Sequence, residues 1–340
     1  MKLTLRALPI TFFCVSLACV AALAQVQPAP DGPIHSRFGL PASRMKAQPK
    51  AAANRPEQTL GSPDVSYTFG MVDFPGQMDS GGSAANDKGE IIGGYGPDMV
   101  GDTVSNYGFL LKGTKFTGIN YPGAGWTEPN GISDAGAIVG QYGASFTGPE
   151  QGFKLVGKNY TTIAYPGAVN TSANGINKSG EIVGYWDSGG DGHGFLLSKG
   201  VFTSIDVPGA IFTGASGINQ AGDIVGLYYN SDGSSHAFLL QSGTFTTIDY
   251  PGGYSQNYAA GINNQGVIVG GYGEPTTING VTYAWEHAFI YENGQFTNAD
   301  APFGPPAATQ PFGISNNGVI VGEYVDNSGT VYGYEATVAQ

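Results

Sequence analysis

SANGINKSGEIVGYW (172–186), followed after a short polar loop by HGFLLSKG (193–200) and VFTSIDVPG (201–209), carries the architecture of the chain in one stretch. Gly-Ile-Asn-x-x-Gly reads as a strand end and a tight turn: the glycine supplies the left-handed conformation, and the asparagine side chain bonds back to the turn backbone. Ile-Val-Gly-x-Tyr is a second strand rich in β-branched and aromatic residues, and its central glycine predicts close approach of a neighbouring sheet. A third strand holds Gly-Phe-Leu-Leu. A fourth ends in Asp-Val-Pro-Gly, and because proline cannot donate to a ladder this strand belongs at the sheet edge. The unit therefore predicts four short strands, A to D in chain order, with A innermost and D outermost.

Five further copies align with it. The first half recurs as SAANDKGEIIGGY (83–95), NGISDAGAIVGQY (130–142), SGINQAGDIVGLY (216–228), AGINNQGVIVGGY (260–272) and FGISNNGVIVGEY (312–324). The turn glycines, Gly89, Gly136, Gly180, Gly222, Gly266 and Gly318, are spaced by 47, 44, 42, 44 and 52 residues. Such a period marks a repeat architecture. The ends of the array decide which one. It opens with an isolated D-type strand, YTFGMVDFPG (67–76), and closes with A, B and C strands and no D (305–340). A linear stack would leave a lone strand at one end, whereas a ring lets the first strand complete the last sheet. The expected fold is an all-β, six-bladed β-propeller over 64–340, with four-stranded blades and a circle closed by the N-terminal strand.

Composition agrees with an all-β chain. There are 55 Gly, 21 Pro, 19 Tyr and 18 Phe in 340 residues, and only 12% of residues are charged. From Asp64 onward seven lysines face 24 acidic residues, a net charge of −17, with no arginine. Phosphate-backbone recognition needs clustered Lys and Arg, so nucleic acid is excluded as a partner, and anionic membrane surfaces are disfavoured likewise.

Residues 1–24 read as a secretory signal peptide: Lys2 and Arg6 precede an apolar run that ends in Ala22-Leu23-Ala24. Cleavage there removes Cys14 and Cys19, the only cysteines, so the mature chain is expected to have no disulfide and no thiolate chemistry. Residues 25–63, rich in Pro, Ala and Gln, read as a disordered linker. The expected location is extracellular or periplasmic, with no membrane insertion of the mature chain.

The repeat resembles the HAF family of bacterial extracellular repeats. His236-Ala237-Phe238 and His287-Ala288-Phe289 carry its three letters beside Gly-Ile-Asn-x-x-Gly-x-Ile-Val-Gly, and the match spans about 66–335. The resemblance implies export and a propeller-like repeat, and brings no catalytic residues. Tyr107-Gly108-Phe109, Gln151-Gly152-Phe153 and Tyr332-Gly333-Tyr334 depart from the histidine pattern.

Candidate chemistry is sparse. His193, His236 and His287 share one repeat position with Tyr107, Gln151 and Tyr332, which suits a structural hydrogen-bonding site better than a metal ligand. Asp73, Asp206, Asp249 and Asp300 precede the strand D proline, where a turn-stabilising role is expected. No calcium-loop spacing, nucleophile elbow, H-E-x-x-H or phosphate loop occurs, so no metal or cofactor is expected and no catalytic residue is assigned. What breaks the repeat points to binding. The D-to-A loops contain Trp126, Glu128, Phe212, Tyr254, Asn257 and Tyr258, and the longest B-to-C loop adds Glu274 and Trp285. Exposed aromatics mixed with amides and carboxylates on one face would stack on sugar rings or dock a protein, and the competing expectation is that they fill gaps between blades. The leading function is a secreted binding or scaffold module for a carbohydrate or protein ligand. The alternative is a secreted polysaccharide-acting hydrolase or lyase, which requires two of the non-repeated carboxylates to converge.

Overall fold

The computed structural model describes residues 67–77, 79–96, 107–145, 148–189, 191–278, 281–302, 309–325 and 331–338. The predicted signal peptide and linker lie outside the described residues. The described chain is all-β. After β1 (Tyr67–Met71), unit 1 consists of β2 (Asp79–Ala85), β3 (Glu90–Gly96), β4 (Tyr107–Lys112) and β5 (Lys115–Ile119). Unit 2 is β6 (Trp126–Ile132), β7 (Ile138–Gly143), β8 (Glu150–Val156) and β9 (Asn159–Ile163). Unit 3 is β10 (Asn170–Ile176), β11 (Ile182–Asp187), β12 (Gly192–Ser198) and β13 (Val201–Ile205). Unit 4 is β14 (Phe212–Ile218), β15 (Ile224–Tyr229), β16 (Ser235–Gln241) and β17 (Thr244–Thr247). Unit 5 is β18 (Gln256–Ile262), β19 (Ile268–Ile278), β20 (Val281–Glu292) and β21 (Gln295–Asn298). The last is β22 (Thr309–Ile314), β23 (Ile320–Val325) and β24 (Val331–Val338), and β1 adds to it, pairing antiparallel with β24 from Tyr67↔Val338 to Met71↔Tyr334.

Each unit is an antiparallel A-B-C-D meander. Strand A is buried along its length, as in β6 and β14, while strand D is mostly exposed, as in β13, where only Phe202 and Ile205 are covered. The A-to-B turns are built as the sequence indicates: Asn177 Oδ1 accepts the Glu181 N–H at 3.0 Å, and Gly180 sits at φ +81°. Units 3, 4 and 5 differ from separate four-stranded sheets. Single parallel bridges, Gly192↔Phe212 and Ser235↔Gln256, tie the start of one strand C to the start of the next strand A and merge these units into one 12-stranded sheet.

A β-bulge interrupts strand A in every unit, for example between Ala173 and Gly175, and it corrects the reading of the strand B glycines. A Cβ on Gly184 would lie 1.9 Å from Ser172 O and 2.9 Å from Phe195 Cε1, both in its own sheet. The neighbour it makes room for is the bulged strand A beside it, not another sheet. Close approach between units falls instead on the glycine of Gly-Ile-Asn. A Cβ on Gly175 would lie 3.2 Å from Gly217 Cα, on Gly217 3.1 Å from Gly261 Cα, and on Gly261 3.2 Å from Gly313 Cα. The innermost strands thus touch backbone to backbone.

The core lies between consecutive units. Val139 and Ile163 of unit 2 pack with Ala173, Ile182 and Phe195 of unit 3, and the pattern repeats through Phe238 of the next. Val72 and Val321 pack in the same way on Ala85, Ile91 and Phe109 of unit 1. Asn316 N–H and Nδ2 bond to Asp87 Oδ1 and Oδ2 at 2.8 and 2.9 Å across the same junction.

Candidate functional site

The face carrying the D-to-A and B-to-C loops is not the exposed aromatic platform expected. Trp126, Phe212 and Tyr258 lie on β6, β14 and β18 and are 5, 7 and 3% exposed. Each ring covers a glycine: Trp126 Nε1 lies 2.7 Å from the Cβ position of Gly143, Phe212 Cδ2 2.3 Å from that of Gly192, and Tyr258 Cε1 2.5 Å from that of Gly271. These side chains fill space that small residues leave open, but Trp126 and Tyr258 do so within their own unit and only Phe212, against Gly192 of unit 3, fills a gap between units. The Trp126 indole N–H also donates to Ser145 O at 3.0 Å.

Asn257 is fully buried and belongs to the repeat. Its Oδ1 accepts the Tyr250 N–H at 3.0 Å, the bond that Thr127, Thr171, Thr213 and Thr309 hydroxyls make at 2.9 to 3.1 Å in other units. It anchors the D-to-A loop. Glu128, 4% exposed, accepts from Gln141 Nε2 at 3.2 Å, and Glu150 accepts from the Tyr185 hydroxyl. Tyr254 is half-buried, its ring 4.7 Å from Tyr272. Glu274 and Trp285 are register partners on β19 and β20, and their side chains lie outside the described residues. Those expected site residues whose side chains are described therefore spread over separate roles and do not form one site.

The histidines and the strand D acids, read separately in the sequence, are partners. His193 Nδ1 meets Asp206 at 2.7 Å, His236 meets Asp249 at 2.6 Å, and His287 meets Asp300 at 2.8 Å. Each histidine ring stacks on a strand B aromatic, Trp186, Tyr228 or Tyr272, with centroids 4.6, 5.1 and 5.2 Å apart. The aspartate thus ties strand C to strand D, and Asp249 also accepts the Ala237 N–H at 3.0 Å. One signal could have revealed the pairing: histidine occurs only in units whose strand D ends in Asp, while Gln151 goes with Ala164 and Tyr107 with Asn120.

The opposite face, formed by the A-to-B turns, has a shallow depression on the axis of about 80 Å³, open to solvent. All six units contribute. Ile132, Ile176, Ile218, Ile262 and Ile314, with Ala85 in unit 1, surround its base, and above them stand the turn residues. Two belts of hydrogen bonds join consecutive turns. In the inner belt Asn86 Nδ2 donates to Ser133 O at 3.2 Å, Asn177 to Asn219 O at 3.2 Å, Asn219 to Asn263 O at 3.4 Å and Asn263 to Ser315 O at 3.4 Å. In the outer belt the next residue's N–H donates to a side-chain oxygen of the following unit: Asp87 to Asp134 at 3.1 Å, Gln220 to Asn264 and Asn264 to Asn316 at 2.8 Å. Sequence reasoning assigned no function to these positions, because each looks like an ordinary turn residue in isolation.

Among the described residues no group of three or more His, Cys, Asp or Glu is arranged to hold a metal ion. At the edge of this face burial raises the Glu90 carboxyl, but hydrogen bonds from Lys112, 2.6 Å away, and Asn86 outweigh it and hold the group below the ordinary glutamate range.

Solved structures resemble this arrangement. The lectin SapL1 in complex with alpha methyl fucoside matches with a TM-score of 0.51 at 11% identity, over 78% of this chain and 96% of that one. The β-propeller domain of the Trilobed protease from Pyrococcus furiosus matches with a TM-score of 0.48 at 10% identity, over 78 and 96% of the two chains. Virginiamycin B lyase from Staphylococcus aureus matches with a TM-score of 0.45 at 12% identity, over 81 and 100%. The chain has a β-propeller fold. At these identities the likeness speaks to fold alone. No protein-family model matches the sequence, and no curated protein does.

Proposed function

We propose that this chain is an exported six-bladed β-propeller of the HAF-repeat type, its ring closed by β1, that acts as a binding or scaffold module in the extracellular or periplasmic space. Its ligand, a carbohydrate or a protein segment, sits in the axial depression of the A-to-B turn face. One observation carries the choice of site: the depression is lined by amide and carboxylate residues from all six units, whereas Trp126, Phe212 and Tyr258 on the other face are buried in packing. Of the four non-repeated carboxylates open to the hydrolase or lyase alternative, Glu128 and Glu150 are buried and engaged by Gln141 and Tyr185, which disfavours that pair, and the side chains of Glu274 and Glu286 lie outside the described residues.

The test begins with a glycan-array screen of the purified protein, followed by hydroxyl-radical footprinting with the ligand it returns. Protection of the turns around Asp134, Lys178 and Gln220 is expected. Protection confined to the loops around Trp126 and Tyr254 would move the site to the other face, and time-dependent cleavage of the glycan would restore the enzymatic reading.

A further inference from the structure

The two belts that join the turns are interrupted at different places, and their gaps coincide at one junction. Between units 3 and 4 the outer bond is missing among the described residues, but Asn177 Nδ2 still bridges and Gln220 Nε2 reaches Ser179 Oγ at 2.6 Å. Between the last unit and the first, Ser315 replaces asparagine in the inner belt, and Asn316 and Asn317 compensate with three bonds to Asp87. Between units 2 and 3 neither belt forms among the described residues. Ser133 is too short to carry an amide across, and its hydroxyl turns back to its own turn, 3.2 Å from the Ala137 N–H. Lys178 stands where other units place the acceptor, and among the described residues the Asp134 N–H makes no hydrogen bond to the next unit. Lys178 is exposed, and among the described residues no carboxylate lies within 4.0 Å of its ammonium group. The junction is held deeper down, by Asn130 Nδ2 on Ala173 O at 3.3 Å, so the gap is confined to the rim of the depression.

We infer that this notch is the polar anchor of the axial site and that it takes a hydroxylated carboxylate, the chemistry of a sugar acid. The inference rests on the axial reading above. The notch offers an N–H donor at Asp134, a carbonyl acceptor at Asn177 and a cation at Lys178, which together match a carboxylate oxygen beside a hydroxyl. A carboxylate suits it better than a phosphate or sulfate dianion, because Asp87 and Asp134 line the same depression and the propeller is strongly acidic. Further hydroxyls would meet those two carboxylates and the rim amides Asn264 and Asn316.

The experiment is isothermal titration of the full protein with sodium D-glucuronate, D-glucose and sodium acetate at one ionic strength, using the wild type, Lys178→Asn and Lys178→Met. Wild type is expected to bind glucuronate at least about tenfold more tightly than glucose or acetate. Lys178→Asn restores the repeat's own acceptor, so it should lose at least about tenfold in glucuronate affinity while its melting temperature stays level or rises by a few degrees. Lys178→Met should lose the affinity without that gain. Equal binding of glucose and glucuronate, or full affinity in Lys178→Asn, overturns the carboxylate assignment and leaves the axial reading in place. Absence of glucuronate binding while the array ligand still protects the turns does the same. Protection on the opposite face overturns both.

Discussion

The two faces of this propeller are made by the same repeat and spend their irregular residues differently. On the loop face, the large aromatic departures from the repeat at Trp126, Phe212 and Tyr258 are absorbed by packing, each covering a glycine. On the turn face the departures are small and polar, Ser for Asn at 133 and Lys for Asn or Asp at 178, and they open a gap instead of filling one. A break in a repeat therefore does not by itself mark a ligand site. A large side chain that breaks the pattern has somewhere to go when its neighbour is glycine, whereas a lost hydrogen-bond partner leaves a polar group facing solvent.

The comparison can be broken most severely where β1 pairs with β24. Deleting 67–76 removes β1 and Val72, which is 2% exposed in the cluster joining the last unit to the first, and both faces should fail together. Loss of the cooperative thermal transition is expected, and an unchanged melting midpoint would contradict the closed ring.

Trp126→Ala tests the loop face alone. If its ring is a packing residue, the variant should lose about 3–5 kcal/mol in denaturant unfolding, the cost of emptying a buried aromatic site. Full stability with weakened ligand binding would return the residue to a binding role. Asn264→Ala tests the turn face, where it removes the acceptor of the Gln220 N–H at 2.8 Å; a loss of about 1 kcal/mol is expected.

Glu90→Gln should have the smallest effect. Its carboxyl is held below the ordinary glutamate range in the folded state, so it contributes stability that is present above that range and lost as pH falls through the lower folded value. Its partner Lys112 is largely exposed, which keeps the neutral-pH difference under about 1 kcal/mol. Melting temperatures from pH 7 to pH 2 should show wild type and variant converging in acid, and a difference that grows toward acid would reverse the sign.

Much of this is legible in the sequence. The turn glycines and the Gly-Ile-Asn and Pro-Gly boundaries mark the strands because local backbone conformation depends on local residue type. The innermost place of strand A and the outermost place of strand D followed from proline's missing donor. The roles of Asn257 and of the His–Asp pairs were less accessible. Asn257 performs the task of threonine at 127, 171, 213 and 309, but a change of residue type conceals the equivalence unless the bond to the preceding loop is seen.

By itself the sequence determined the period of the repeat, the strand order within a unit and the isolated first strand, since all three are written in local turn chemistry and hydrophobic alternation. Only the tertiary structure decided which glycine meets a neighbouring unit, which irregular side chains are buried, and where the hydrogen-bond belts fail. The reason is distance along the chain: Asp134 and Lys178 come from adjacent turns 44 residues apart, and Asn316 meets Asp87 across 229. No local rule relates such residues, so their juxtaposition exists only once the innermost strands have packed around a common axis.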